Sequence, residues 1–394
     1  MKQPVTRRAV FFIGGYDPKT PAAFFGRMRK EIQRFDLVWG TETQILNQPC
    51  LPDDESGHVT ITACSLPEGW STQTDFSFLA LDPIVLSDFN RPVLNRLLRY
   101  LAAFSGFIIE GSAQRFFLKA WRFGLYFLYP FLTLVAFALL GGLIALLVCV
   151  WLGLASIAIG LAVFFLALSV FGRRWSTLHL MDLWSFSSQF MRSQRPDAEA
   201  LLQRFASRIV DKAEAERYDE IILIGHSTGG MLILDVAARC LSLDPDFSQR
   251  APEVSILTLG STALKAGYSK AAKEFRKRMR QLIADPHLRW VEVQCLTDPI
   301  NFYKTDPVRE MKLDQQTRRE FPLIRTVRIK EMLQPDSYRR IKRNFFRVHY
   351  QYIFGNTKAY WYDFFQICCG PNTLDKRARE HLLGNRQGLK ESSP

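Results

Sequence analysis

The feature that most constrains this chain is a long uncharged stretch. No Asp, Glu, Lys, Arg or His occurs among the 50 residues that separate Arg122 from Arg173. A bilayer core is about 30 Å thick and a helix rises about 1.5 Å per residue, so one span takes roughly 20 residues. The stretch is too long for one span and suits two, which we place near residues 125–146 and 152–171. A purely soluble protein is therefore not expected, and a buried helical hairpin is the alternative.

The charges that flank this hairpin predict its orientation. Arg115, Lys119 and Arg122 precede it, Arg173 and Arg174 follow it, and the turn between the two spans carries no charge. Because basic residues tend to stay on the cytoplasmic side of a bilayer, both ends of the hairpin are expected there. The sequence thus predicts a membrane protein with two spans and with its remaining residues on the cytoplasmic side.

Basic residues also cluster outside the hairpin, in a chain whose formal net charge is +13. We expect one helix to carry Lys265, Lys270, Lys273, Arg276, Lys277, Arg278 and Arg280, and a second cluster to comprise Arg339, Arg340, Lys342, Arg343 and Arg347. Each basic residue near an anionic leaflet contributes about 1 kcal/mol, so membrane lipid is one expected partner and a solvated face is the alternative. No recognition motif accompanies the charge, so no nucleic-acid partner is expected.

The cysteines give no sign of a disulfide framework or of a metal site. There are seven of them, they are scattered, and none forms a Cys-x-x-Cys or a His/Cys cluster. Neither a Walker pattern nor Gly-x-Gly-x-x-Gly is present. We therefore expect reduced thiols, no metal and no cofactor.

A second motif points to catalysis. The β-branched run over residues 220–224 predicts a buried strand, residues 231–241 predict a helix, and between them stands Gly225-His226-Ser227-Thr228-Gly229. A Gly-x-Ser-x-Gly turn between a strand and a helix is the setting of a nucleophilic serine. The strained turn leaves no room for a Cβ at the two glycines, and the Thr228 amide can stabilise an oxyanion. A glycine-rich turn without chemistry, or one that binds phosphate, is the alternative.

This arrangement resembles the α/β-hydrolase superfamily, in its esterase/lipase-like branch. The resemblance covers most of the chain outside the hairpin, as an order of elements. It implies an α/β fold with a mostly parallel sheet flanked by helices, into which the two-helix transmembrane hairpin is inserted. It also implies a catalytic triad in the chain order serine, acid, histidine. The acid follows a late strand, and the histidine lies in a loop after the last strand.

That order restricts the base to a histidine after Ser227. His287 precedes a strand, and His381 lies in a charged terminal helix. His349 comes after the predicted strand Thr326–Ile329, so we expect His349 to be the base. A packed or solvated histidine is the alternative at this position.

The acid is chosen by its place after a strand. Asp298 follows the apolar strand over residues 288–295, and Pro299 would stop further pairing. We therefore expect Asp298 to orient the base, although an aspartate before proline is also common in plain turns. Asp306 is the reserve acid, and Asp285 fits less well because it precedes the strand.

The resemblance places the second oxyanion amide in a loop after an early strand. Residues 9–13 predict that strand, and Gly14-Gly15-Tyr16 follows it. Gly15 or Tyr16 is therefore the expected donor, although the histidine that usually stands in this loop is absent. An ordinary Gly-Gly turn is the alternative.

The two motifs together suggest one catalytic domain that the hairpin interrupts. We expect the N-terminal part to cover residues 1–104, the insertion 105–175, the C-terminal part 176–386, and a disordered tail 387–394. The expected function is a membrane-anchored serine hydrolase that cleaves a carboxylic ester of a lipid or of another acyl ester. A non-catalytic hydrolase-like membrane scaffold or protein-interaction module is the alternative. The oligomeric state stays open.

Overall fold

The computed structural model describes residues 4–53, 55–313 and 320–379. The predicted tail and His381 lie outside these residues. The strands are β1 (Arg7–Ile13), β2 (Glu42–Ile45), β3 (Cys50–Asp53), β4 (Ser56–Ser65), β5 (Trp70–Leu79), β6 (Glu220–His226), β7 (Glu253–Leu259), β8 (Arg289–Cys295) and β9 (Leu323–Val327). The helices are α1 (Pro21–Trp39), α2 (Asp82–Phe89), α3 (Val93–Ile109), α4 (Ser112–Leu152), α5 (Ala155–Arg174), α6 (Thr177–Met191), α7 (Pro196–Ala215), α8 (Thr228–Leu243), α9 (Leu264–Tyr268), α10 (Lys273–Ala284), α11 (Pro307–Glu310), α12 (Ile329–Met332), α13 (Pro335–Ile341), α14 (Phe345–Tyr350) and α15 (Phe364–Cys369).

The chain divides into two compact units. The first contains the described residues within Met1–Val85, Pro196–Tyr268 and Ala272–Pro394. The second contains Leu86–Arg195 together with Ser269–Ala271. The predicted insertion, residues 105–175, lies inside the second unit, which extends further along the chain in both directions.

The first unit is built on one mixed sheet with the strand order β2-β4-β5-β1-β6-β7-β8-β9, and β3 pairs with β4. The strands from β5 to β9 along this order run parallel, whereas β2, β3 and β4 form antiparallel pairs at one edge. The predicted α/β class is therefore confirmed. The sheet is mixed because a chain reversal between β4 and β5 needs only a short turn, whereas parallel neighbours need a crossover.

Both faces of the central strands are covered, as a parallel sheet requires. Every residue of β6 and β7 is buried. On one face the Phe12 ring stacks on Phe24 of α1 at 5.3 Å and meets Phe364 of α15 edge-on at 5.7 Å. Such ring pairs contribute about 0.5–1.5 kcal/mol beyond burial. On the other face α8 packs against β1, β6 and β7. The strands that end at the candidate site are thus fixed by packing on both sides.

The register brings several strand ends to the same edge of the sheet. Ile13 lies opposite Gly225, His226 lies opposite Leu259, and Leu259 lies opposite Val293. Because β1, β6, β7 and β8 are parallel, the residues that follow them meet at one edge. Open α/β sheets bind their ligands at this carboxyl edge.

In the second unit, α4 and α5 are each long and apolar enough to cross a membrane. In their most apolar 18-residue windows only 17% and 28% of the residues are buried. A core helix of a soluble protein is mostly buried, so these values disagree with the buried-hairpin alternative. The backbone of Ala120 is not helical, so the unbroken part of α4 begins after it and extends beyond the predicted first span. The turn falls at Gly153, where φ is +51°.

The two long helices approach each other through glycines. A Cβ at Gly141 would lie 2.4 Å from the carbonyl oxygen of Gly160, and a Cβ at Gly160 would lie 2.7 Å from that of Gly141. Real Cβ atoms do not approach this closely, so a larger residue at either position would separate the helices. Small residues at such contacts are typical of helix pairs in membranes.

The seven basic residues expected on one helix are divided, so this prediction is wrong in part: Lys273, Arg276, Lys277, Arg278 and Arg280 share α10, whereas Lys265 and Lys270 lie outside it. Lys265 belongs to α9 and is fully buried, whereas Lys273 begins α10. Between the two helices the Ser269 hydroxyl accepts a hydrogen bond from the Ala271 amide at 3.2 Å. A serine that bonds the backbone locally competes with helix continuation, which accounts for the break.

Candidate active site

Ser227 occupies the sharp turn between β6 and α8. Its φ of 59° and ψ of −122° are strained for a residue that carries a side chain. The Ser227 amide donates to the Leu259 carbonyl at 2.9 Å, and its own carbonyl accepts from the Thr262 amide at 3.1 Å. These two bonds to the end of β7 and the loop after it hold the strained backbone in place.

Close backbone contacts leave no room for side chains at the two elbow glycines. A Cβ at Gly225 would lie 2.3 Å from the carbonyl oxygen of Gly229. A Cβ at Gly229 would lie 2.2 Å from the carbonyl oxygen of Gly14 and 2.3 Å from that of Ile13. The steric reason that the sequence suggested for these glycines therefore holds, and the end of β1 takes part in it.

The predicted acid and the predicted base are hydrogen-bonded to each other. Nδ1 of His349 lies 2.7 Å from Oδ2 of Asp298, and both side chains are buried. A carboxylate only accepts hydrogen bonds, so Nδ1 of His349 is the donor, and the neutral form of this imidazole carries its lone pair on Nε2. This is the tautomer that a general base needs. His349 lies in the short helix α14, so its expected place in a loop is wrong; the Asn344 side chain caps this helix.

The turn after β8 fixes the Asp298 carboxylate. Its Oδ1 accepts from the Ile300 amide at 2.9 Å, while Oδ2 faces the histidine. The amide group of Asn301 donates to the carbonyls of Cys295 at 2.8 Å and of Asp298 at 2.7 Å. Asn301 therefore braces the turn that presents the acid. Its position three residues after Asp298 was the only sequence signal for this role.

Asp306, the reserve acid, and Asp285, which fitted less well, bond to local backbone groups instead. Asp306 caps α11 by accepting from the amides of Val308 and Arg309. Asp285 accepts from the amides of His287 and Leu288, directly before β8. These bonds account for both aspartates and leave Asp298 as the carboxylate at His349.

His226 has a role that the motif alone did not reveal. Its Nε2 lies 2.9 Å from the carbonyl oxygen of His349, and the two ring centroids are 4.5 Å apart. A carbonyl can only accept, so Nε2 of His226 donates. Burial, with the neighbouring His349 ring, keeps the pKa of His226 well below its usual range. A neutral His226 therefore ties the elbow to the backbone of the base.

Gly260 is a second residue that sequence reasoning missed. Its φ is +50°, and a Cβ there would lie 2.7 Å from the Tyr352 ring, 3.1 Å from Oδ2 of Asp298 and 3.2 Å from Cε1 of His349. Ser227 donates to Leu259, the residue just before Gly260. Ser227, His349 and Asp298 thus converge on the end of β7, where only glycine fits.

The other ring nitrogen of His349 lacks a hydrogen-bond partner among the described residues. Nε2 of His349 is buried and makes no hydrogen bond to any residue that the structure describes, Ser227 included. Catalytic hydrogen bonds are often long or poorly aligned without substrate and tighten when it binds. The structure therefore places Ser227, His349 and Asp298 around one strand end and forms one of the two hydrogen bonds of a triad.

Both segments expected to supply oxyanion amides adjoin Ser227. A Cβ on Gly15 would lie 3.4 Å from Cβ and 3.7 Å from Oγ of Ser227. Tyr16, the next residue, is buried. Thr228 is the first residue of α8, where amides have no partner within the helix. The glycine pair at the end of β1 is therefore part of the site and not a remote turn.

A buried lysine contacts the same helix start. Nζ of Lys265 lies 3.3 Å from Oγ1 of Thr228, and Lys265 is fully buried. Burial lowers the pKa of this lysine to about 7. Its place among basic residues in the sequence suggested an exposed face, so no sequence signal indicated this contact.

The depressed pKa of Lys265 predicts a pH-dependent stability. Between about pH 7 and pH 10.5 the folded chain has released a proton that the unfolded chain retains, so the free energy of unfolding rises with pH. Over this pH range the free energy of unfolding rises by roughly 5 kcal/mol, at 1.36 kcal/mol per pKa unit. We expect the stability of Lys265→Met to lack this pH dependence and to exceed that of the wild type at pH 7. Denaturant unfolding from pH 7 to pH 10 measures it.

The exposed Lys273 supplies the control for this experiment. Lys273→Met changes the same charge on α10 and should follow the wild-type pH dependence. If the free energies of unfolding of the wild type and Lys265→Met changed equally with pH, the depressed pKa of Lys265 would be contradicted.

Within residues 4–53, 55–313 and 320–379, no three His, Cys, Asp or Glu side chains lie close enough together to hold a metal ion.

Comparison with known proteins does not identify the site. The chain matches no family model, no curated protein and no solved structure.

Proposed function

We propose that this chain is a membrane-anchored serine hydrolase of the α/β-hydrolase type, which cleaves the carboxylic ester of a lipid or of another acyl ester. One observation carries the proposal. A buried Asp298–His349 pair lies at the sheet edge where Ser227 occupies a strained strand–helix turn. A nucleophile, a base and a group that orients the base are the parts that covalent acyl transfer needs.

In the proposed reaction Nε2 of His349 takes the hydroxyl proton of Ser227 while Oγ attacks the ester carbonyl carbon. The Thr228 amide and an amide of Gly15 or Tyr16 stabilise the negative oxygen. The bond to the alcohol then breaks, and the imidazolium returns its proton to the departing alcohol. Water, deprotonated by His349, then attacks the acyl-serine. The bond between the acyl carbon and Oγ breaks, the imidazolium returns its proton to Oγ of Ser227, and the acid is released. Asp298 stabilises the imidazolium in both steps.

Membrane anchoring through the hairpin is the second part of the proposal. The length, apolar character and low burial of α4 and α5 support it. The basic residues on both flanks support a cytoplasmic position for the first unit. An enzyme held at a bilayer meets acyl esters that partition there, which favours a lipid substrate.

The alternative is a non-catalytic membrane scaffold with the same fold. The observation in its favour is the absence of a hydrogen bond from Nε2 of His349 to Ser227 within the described residues. A scaffold would show no turnover of any ester, so an activity measurement separates the two proposals.

The direct test is hydrolysis by the purified full-length chain in detergent or nanodiscs. A series of p-nitrophenyl esters with acyl chains of increasing length reports both activity and chain preference. We expect turnover on the order of 1 per second or faster for at least one chain length, in the usual range of enzymes. Rates equal to those of buffer throughout the series would contradict the proposal.

A further inference from the structure

A large groove lies in the first unit beside α1 and the segment formed by α13 and α14. Its volume is about 760 Å³. Sites for small organic ligands typically measure about 300–1,000 Å³. The groove is therefore large enough for much of a lipid-sized molecule.

The lining of this groove is strongly basic. Lys19, Arg34, Arg340 and Arg347 line it, and Glu31 is the carboxylate among its lining residues. Glu31 already accepts two hydrogen bonds from Arg34 at 2.9 Å each. Lys19 is likewise paired, with Asp17 at 2.9 Å, so Arg340 and Arg347 supply the excess positive charge of the lining, which favours an anionic ligand.

Apolar side chains share the lining with these cations. They belong to Leu333, Ile341, Phe346, Tyr350 and Phe354. Arg guanidinium groups bind phosphate and carboxylate through paired hydrogen bonds, and the rings supply apolar contact area. Charge and apolar surface together suit an amphiphile with a negative head group better than a free ion.

The groove borders a small cavity beside the elbow. Lys19 and Tyr350 border both the groove and a second cavity of about 20 Å³, which Gly14 and Gly15 line. Gly15 in turn adjoins Ser227. One extended molecule that reached across Lys19 and Tyr350 would therefore have its head group in the groove and its ester beside the elbow.

Two cations that line the small cavity beside Gly15, Lys19 and Arg27, are partly withdrawn from water. Nζ of Lys19 lies 4.0 Å from the Tyr350 ring centre, and the Arg27 guanidinium lies 5.0 Å from that of Phe354. Burial lowers the pKa of both cations, although Asp17 near Lys19 and Glu31 near Arg27 oppose the shift. Because charges interact more strongly away from bulk water, an anion here would gain more than at an exposed lysine.

We propose that the substrate is an acyl ester with an anionic head group, which Lys19, Arg340 and Arg347 bind in this groove while the ester lies at Ser227. This inference rests on the proposed hydrolase function and specifies its substrate class. It accounts for part of the basic cluster over residues 339–347 as a binding surface for one molecule.

The test compares two substrates that differ in the head group alone. 1-Oleoyl-lysophosphatidic acid and 1-oleoylglycerol carry the same acyl chain, and both can be presented in neutral detergent micelles. We expect kcat/KM for the phosphorylated ester to be at least tenfold higher, and the preference to shrink with added salt because ions screen the contact. Equal values for both substrates would overturn the proposal.

Charge reversal tests whether the groove causes the preference for the phosphorylated ester. The double variant R340E/R347E replaces two exposed side chains, so the fold should persist, and we expect it to lose the tenfold preference. R343E makes the same kind of change in the same basic cluster but outside the groove lining, and it should keep the preference. A double variant that retains the preference would show that the groove does not bind the head group.

A binding measurement separates this proposal from the hydrolase function. The Ser227→Ala variant should bind fluorescent lysophosphatidic acid, and adding R340E/R347E should raise Kd at least tenfold. If the wild type hydrolyses neither ester, the hydrolase proposal fails while this measurement still decides whether the groove binds anionic amphiphiles. An unchanged Kd would overturn the groove proposal whatever the activity.

Discussion

Replacing Ser227 by alanine is expected to reduce ester hydrolysis by roughly 10⁵–10⁶-fold, the usual cost of removing a catalytic serine. The substitution removes Oγ, the atom that would form the bond to the acyl carbon. Alanine also occupies less space at a φ of 59°, so the fold should persist. The ratio of kcat values on the best p-nitrophenyl ester measures the effect.

Ser242 provides the matched control for this substitution. It lies near the other end of α8, and its hydroxyl donates to the Ala238 carbonyl at 2.9 Å. Ser242→Ala should keep wild-type activity. If Ser227→Ala retained a substantial part of the activity, the nucleophile would have to be another group.

Replacing Asp298 by asparagine is expected to lower kcat about 10⁴-fold, as removal of the orienting carboxylate does in serine hydrolases. In the wild type Oδ2 of Asp298 accepts from Nδ1–H of His349 at 2.7 Å. An amide NH₂ at this position would donate instead, which favours the proton on Nε2. The histidine would then present no lone pair to Ser227.

Asp306 serves as the control because it is the other candidate acid and caps α11. Asparagine also caps helices well, so Asp306→Asn should fold and keep its activity. A larger loss in Asp306→Asn than in Asp298→Asn would reverse the assignment of the acid. Comparing thermal unfolding of both variants with the wild type excludes a difference in folding.

The parts of the site that could be predicted are those that leave a local signal. The elbow is a five-residue pattern between a strand and a helix, and its strain makes glycine necessary at Gly225 and Gly229. The order of the triad came from the resemblance, and it led to the bonded pair of Asp298 and His349. Likewise, alternating strands and helices were enough to predict the α/β class.

The parts that could not be predicted depend on contacts between distant residues. His226 meets the carbonyl of His349 across 123 positions of sequence, and no local pattern encodes that bond. Gly260 is required only because Tyr352, Asp298 and His349 all pack against it. Lys265 looked like one member of an exposed basic face, because sequence spacing does not reveal that the helix ends at Tyr268.

The antiparallel edge of the sheet was missed for a related reason. Alternation of strands and helices predicts parallel pairing through crossovers. Between Glu42 and Leu79, however, β2 to β5 follow one another without a helix. Neighbouring strands joined by short turns pair antiparallel, so this region departs from the rest of the sheet.

The most direct test of the central claim is labelling of the folded full-length protein with a fluorophosphonate, followed by mass spectrometry of its peptides. An activated serine forms a covalent phosphonyl ester, whereas ordinary serines do not react. We expect close to one adduct per chain, located on Ser227, and none after Ser227→Ala or after unfolding. Thermal unfolding shows whether the labelled protein is folded. If a folded protein carried no adduct on Ser227, the assignment of Ser227 as a catalytic serine would be contradicted.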